Sequence, residues 1–304
     1  MSQVTSDLDQ PAKPESAFLP IAGSRKVKNS VATTIFGACF VLALLPLVAV
    51  LYKVIEAGFP AILNITWWTN SMFLISPSGM GGGVSHAIYG TFVQVLIAAV
   101  ISIPLGILAG IMLVEYPDSV LAKPTTFMVD ILAGVPSVVA AIFVFGIWIT
   151  TLQFELSAFA VGLALVLLML PLVVRSTEEM LKLVPDELRE ASYALGVPKW
   201  KTIVSVVVPT ALSGMISGIF LAIARVMGET APVLILVGYT ASLNFDVLEG
   251  NMASLPLLIF NQLSNPTEAG QYRIWGAALT LILLIALVNV LSAVASKALA
   301  PKTK

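Results

Sequence analysis

Beyond residue 30 the chain alternates long apolar runs with shorter polar stretches. Six runs stand out: Val31–Leu51, Ala87–Val114, Phe127–Thr150, Ser157–Val174, Val206–Tyr239 and Ile274–Ala295. A bilayer core about 30 Å thick needs roughly 20 apolar residues in helical form, so each run predicts a transmembrane helix. The second and fifth are long enough to predict tilt or extension beyond the bilayer. Only TLQFEL (151–156) separates the third from the fourth, which predicts a tight hairpin. Gly134 and Pro136 predict an irregular stretch inside the third span, tolerated where it lines protein or a cavity.

Composition agrees with the pattern. The 304 residues are 58% hydrophobic and 11% charged, against roughly 25% charged in soluble domains, and mean hydropathy is +0.97. A soluble fold of this size cannot hide so much apolar surface, so the fold class is an all-α membrane protein of six helices. Net charge is −1, which gives no bulk attraction to nucleic acid. Cys39 stands alone, so it forms no intrachain disulfide. The polar N-terminal stretch lacks a short apolar core followed by a small-residue cleavage site, and an uncleaved tail is expected.

Basic residues set the expected orientation. Lys13, Arg25, Lys26, Lys28, Lys123, Arg175, Lys182, Arg189, Lys199, Lys201, Lys297, Lys302 and Lys304 fall on one side of the six spans; Lys53 and Arg273 fall on the other. The positive-inside rule then puts both termini in the cytoplasm. The expected order is a cytoplasmic tail (1–30), a first helix (31–52), an extracytoplasmic loop (53–85), a five-helix core (86–297) containing a cytoplasmic loop (175–205), and a short cytoplasmic tail (298–304). In the outer loops, Trp67 and Trp68 suit headgroup anchors. GMGGG (79–83) suits a flexible turn, and SLPLLIFNQL (254–263) suits an interfacial amphipathic helix. His86, the sole histidine, has no metal-ligand spacing around it, and no metal site is expected.

The cytoplasmic loop reads VPDELREASYALGVPKWKTIVSVVVP (184–209). Pro185 suits a first helical position, while Asp186 and Glu187 complement the positive end of the helix dipole. Leu188, Ala191 and Leu195 share one face. Gly196 is placed to end the helix in a left-handed conformation, and Pro198 to start the next. By pattern alone this is either a helix resting on lipid or a docking element. Glu190-Ala191-Ser192, three residues, Gly196, nine residues, then Val206-x-Val208-Pro209 resembles the EAA loop of ABC importer permeases, with mild replacements at Ser192, Val206 and Val208. The resemblance implies a type I ABC importer permease fold. It also implies that Glu190, Ala191 and Gly196 contact an ATPase subunit. The chain has no G-x-x-x-x-G-K-[ST] sequence of its own. It is therefore expected to bind no cofactor, with ATP and magnesium held by the partner ATPase.

In the fifth span, Gly214, Gly218, Ala222, Arg225 and Glu229 are spaced to share one helical face, and Pro209 and Pro232 bracket the helix and predict a break or kink near each end. Small residues at such spacing allow close helix approach, as Gly106 and Gly110 do in the second span. A charge at the bilayer centre costs about 2.5–3.5 kcal/mol on insertion scales. Arg225 and Glu229 could form an i, i+4 ion pair, contact an oxyanion through the guanidinium fork, or close a path until substrate competes. Asp130, early in the third span, suits a carboxylate in a wet region and is a secondary path candidate.

ARVMGETAP (224–232) resembles the fifth-span motif of phosphate importer permeases of the PstA type. LAGVPSVVAAIFVFG (132–146), GGGVSHAIYGT (81–91) and SLPLLIF (254–260) resemble further segments of that family. The resemblance covers about 80–295 and implies a phosphate path containing Arg225, Glu229 and Thr230. It also implies a PstC-type partner permease, two ATPase copies and an extracytoplasmic phosphate-binding protein, in a prokaryotic cytoplasmic membrane. The alternatives are import of another oxyanion (sulfate, molybdate or phosphonate) and an ion-coupled secondary transporter. The latter calls for inverted repeats, and none is visible. No nucleophile, base and orienting group converge, so neither catalytic residues nor enzymatic activity is expected.

Overall fold

The computed structural model describes residues 23–299, and among these every regular element is helical. The chain divides into two units, 1–52 and 53–304. In the first unit the described residues belong to α1 (Gly23–Ile62), an uninterrupted helix of 40 residues. It starts eight residues before the expected Val31, so Arg25, Lys26 and Lys28 lie on a helix rather than in the 1–30 tail. Residues 1–22 of that tail and 300–304 of the C-terminal one fall outside the described residues.

The second unit begins inside α1. It continues with α2 (Ile65–Thr69), α3 (Ser85–Glu115), α4 (Ala122–Gly134), α5 (Ser137–Val144) and α6 (Ala158–Lys182). Then follow α7 (Asp186–Ala194), α8 (Lys199–Thr202), α9 (Val208–Met227), α10 (Ala231–Leu236), α11 (Leu255–Gln262) and α12 (Glu268–Leu299). Short π-helical turns, Phe145–Thr151 and Ile203–Val207, extend α5 and precede α9. Among the described residues, five helices are long and apolar enough to cross a membrane, or six if the bent pair α4–α5 counts as one crossing.

α6 is the centre of the core. Leu165, Met169 and Val173 are buried along it, together with Ala160, Ala164 and Thr177. Its stretch 158–174 carries no charged residue, and a helix segment apolar on every side belongs inside a bundle. α3 lies along it through small residues. A β-carbon at Gly106 would come within 2.6 Å of Val173, one at Gly110 within 2.7 Å of Thr177, and one at Gly162 within 2.5 Å of Ile97. Across the other side of α6, Gly214 of α9 meets Met180 and Gly218 meets Ser176.

Two expected spans are broken. α4 and α5 meet at 109°. The residue before a proline is driven from helical to extended backbone; Val135 and Pro136 are both extended, and α4 therefore stops at Gly134. The run across 206–239 is not one helix either, and it breaks near Pro232 as expected. α9 ends at Met227, and Gly228 to Thr230 lead into the short α10. Pro232 favours this break, because within a continuous helix its ring would crowd the carbonyl four residues earlier, that of Gly228, although α3 and α6 carry Pro104 and Pro171 without breaking.

Two expectations for the outer loops need correction. Trp67 is no headgroup anchor. It is fully buried, donates from Nε1 to Thr280 Oγ1 at 3.0 Å and meets Tyr272 edge-on. Trp68 is half-buried and donates to the Ile62 carbonyl at 2.9 Å. α11 is no interfacial helix either, since Leu255, Leu257 and Leu258 are buried: Leu255 and Leu258 join the apolar cluster of Trp67 and Ala277, and Leu257 joins the one around α6. The 79–83 segment does turn as expected, with positive φ at Gly81 and Gly82.

Packing at the α3–α6 seam leaves no room for a larger residue. Gly106→Val is expected to destabilise the purified protein by about 1–3 kcal/mol through overpacking, read as a lowered thermal midpoint in detergent. Gly146→Ala, where a β-carbon meets nothing within 4 Å, should leave the midpoint unchanged.

Candidate functional site

At one end of the bundle α7 stands out from the surface. Pro185 is its N-cap, one position ahead of the expected first turn. Gly196 adopts φ +75° and ends it as the sequence predicts. Glu190, Ala191 and Gly196 are all exposed, as are Leu188 at 41% and Leu195 at 83%. The apolar stripe of this helix thus faces away from its own chain. Its other side is held tightly. Arg189 bonds the buried Glu115 carboxylate at the end of α3 (3.1 and 3.2 Å), the carbonyls of Val184 and Leu181, and Asp186. Ser192, which stands where the EAA pattern has its second alanine, shares a buried 2.8 Å hydrogen bond with Thr202. Lys199 bonds the Glu115 carbonyl and lies over the Tyr116 ring.

Beside this loop Arg175 joins α6 to α4. It pairs with Asp130 and with Glu178 (2.6 Å), and Glu178 also takes Lys182 at 2.7 Å. The four charges cancel. Asp130 is therefore a partner of Arg175, in a largely exposed position, beside a cavity of about 400 Å³ that Glu178 and Lys123 also line.

The break between α9 and α10 separates the two charges of the fifth span. Because α9 ends at Met227, Glu229 lies outside the helix, and the i, i+4 ion pair is absent. Arg225 is exposed and has no hydrogen-bond or ion-pair partner among the described residues. Gly214, Gly218 and Ala222 pack inward, so the expected five-residue stripe splits before Arg225. Glu229 and Thr230 are half-buried. Glu229 borders a small cavity of about 10 Å³ with Thr91, Gln94 and Ser254, room for about one water. Gln94 Nε2 and Ser254 Oγ are buried there without partners. Thr91 Oγ1 receives the Leu255 N–H at 2.9 Å, which ties α3 to the start of α11.

The outward-facing, rigidly anchored loop helix, and an exposed arginine with no partner among the described residues, give this apolar helical bundle surfaces suited to partner chains. Residues 102–304 match the family described as "Binding-protein-dependent transport system inner membrane component". The chain is 60% identical over 286 residues to "Phosphate transport system permease protein PstA 1" of Mycobacterium tuberculosis (strain CDC 1551 / Oshkosh), covering 94% of each. It is 58% identical to the Mycobacterium leprae PstA protein, again covering 94% of each. With the Yersinia pestis PstA protein identity is 39%, over 89% of this chain and 90% of that one. Among solved structures, an inward-facing MetNI methionine ABC transporter aligns with TM-score 0.55 and 18% identity, over 72% of this chain and 95% of that one. That likeness establishes the fold. The chain belongs to the binding-protein-dependent inner membrane permeases, and within them to the PstA family. It is thus a multi-pass membrane component of an ABC transporter, acting with an ATPase and a binding protein rather than as an enzyme.

Sequence reasoning missed Arg175, Glu178, Glu115 and Arg189. The first two carried a readable signal, since Arg175, Glu178 and Lys182 have i, i+3 and i+7 spacing on one helix. Removing one partner of a buried ion pair strands the other. Arg189→Ala should therefore lower stability by about 3 kcal/mol and open 184–202 to limited proteolysis. An unchanged cleavage pattern would show that α7 does not depend on this pair.

Proposed function

We propose that this chain is the permease subunit of an ATP-driven phosphate importer and forms one half of its path. The observation that carries this reading is Arg225, an unpaired guanidinium exposed on an apolar helix at a backbone break. Such a group belongs against another protein chain or a wet path rather than lipid, and its planar fork matches a tetrahedral oxyanion. Sixty per cent identity to a protein named as a phosphate transport system permease supports phosphate as that oxyanion. The second wall of the path is a PstC-type permease. The exposed α7 stripe, with Glu190, Ala191 and Gly196, meets one of two ATPase copies, which carry the ATP and magnesium. α7 and both termini face the cytoplasm, and the connections 63–84 and 237–267 face the phosphate-binding protein outside.

Radiolabelled phosphate uptake in a deletion strain complemented with this gene tests the reading, with membrane levels checked by blot. Arg225→Gln inserts at least as well as wild type, because a membrane charge is removed. It should lower uptake roughly ten- to a hundredfold, the scale of one charge-assisted contact. Normal uptake by the inserted variant would remove Arg225 from the path. Failure of wild type with intact partners, together with rescue of sulfate or molybdate uptake, would replace phosphate as substrate. Leu195→Asp should leave the chain in the membrane yet abolish uptake, since it puts a charge on the docking stripe of α7.

A further inference from the structure

Nine buried side-chain atoms lack a hydrogen-bond partner among the described residues, and four of them belong to His86, Tyr239 and Arg273. These residues lie together at the end of the bundle opposite α7, where α3 begins. The His86 and Tyr239 rings meet edge-on at 6.3 Å. Tyr239 and Arg273 line one cavity of about 380 Å³, ample for an ion with several waters at about 30 Å³ each. Asn261, Gln262, Ser264 and Asn265 supply its other polar side chains, and no carboxylate lines it.

Arg273 is only 3% exposed. Its terminal nitrogens bond the carbonyls of Pro77 (3.1 Å), Ser76 (3.2 Å) and Gly79 (2.6 Å). Those carbonyls take its protons but bring no formal negative charge, and Nε remains without a partner. A buried cation left in this state is costly unless a counter-charge is supplied. Burial pushes the Tyr239 hydroxyl up to about 12, against the opposing pull of Arg273, so it stays a donor at neutral pH. A buried cation without a counter-charge, an unpartnered hydroxyl donor on Tyr239 and no acid in the lining are the chemistry of an anion site.

We infer that this cavity binds an oxyanion of the phosphate class, as a receiving site separate from Arg225. The inference rests on the proposed import of phosphate: in that orientation, Arg273 is the cation a phosphate released by the binding protein meets at the mouth of the permease.

The test is equilibrium binding of radiolabelled inorganic phosphate to the assembled importer in nanodiscs, without binding protein or ATP. It is run for wild type and in an Arg225→Gln background. Saturable binding should persist when Arg225 is replaced. Tyr239→Phe, which removes one hydroxyl and keeps the ring, should weaken it tenfold or more, and Arg273→Gln should abolish it. Arg273→Gln also releases the 76–79 turn, so Tyr239→Phe carries the decision. No saturable binding in the Arg225→Gln background, or binding that Tyr239→Phe changes by less than twofold, overturns the inference. Wild-type uptake separates the two readings. Normal phosphate uptake with no such binding sinks only the receiving site, whereas absent phosphate uptake sinks the proposed function beneath it.

Discussion

Within 53–299 the arrangement depends on one constraint: helices in lipid gain no hydrophobic drive from meeting each other, so they must fit closely. The seam between α3 and α6 meets this demand with Gly106 against Val173, Gly110 against Thr177 and Gly162 against Ile97. With backbones this near, each groove side chain has one place to go. The same seam fixes both ends of α3, so the His86 end and the Glu115 end become fixed points for everything attached to them.

The two broken helices follow from a second property of the bilayer. A freed backbone group there must be covered by protein or by a wet cavity. Pro136 and Pro232 each interrupt an apolar run, and each break lies near a charged group: Asp130 before the first, Arg225 and Glu229 around the second. At Gly228 the break turns a potential ion pair into two separate groups. Glu229 borders a small cavity with Gln94 and Ser254, while Arg225 is left outside without a partner among the described residues.

Periodicity made the apolar runs legible, and local capping chemistry made α7 and the turn at Gly196 legible, because both are written in neighbouring residues. Tertiary contact decided the rest. Nothing near Trp67 announces Thr280, 213 residues away, and nothing near Arg189 announces Glu115, 74 residues away. α11 carries the same apolar string whether it rests on lipid or fills a core. The break at Gly228 was legible in part: a proline at 232 disfavours a straight helix through Gly228, although the length and hydropathy of the run still read as one span. Identity with the PstA proteins adds what spacing cannot supply, since one apolar helix with a charge looks alike across many transporters.

α3 spans 31 residues without interruption despite Pro104, about 46 Å at 1.5 Å per residue. One tip is bolted to the loop helix through Glu115, and near the other Thr91 holds the start of α11. Mechanically it is a strut with a fastening at each end. A thrust delivered to α7 passes into a stiff member rather than a slack tether, and reaches the far side of the bundle as displacement instead of being lost in loop bending.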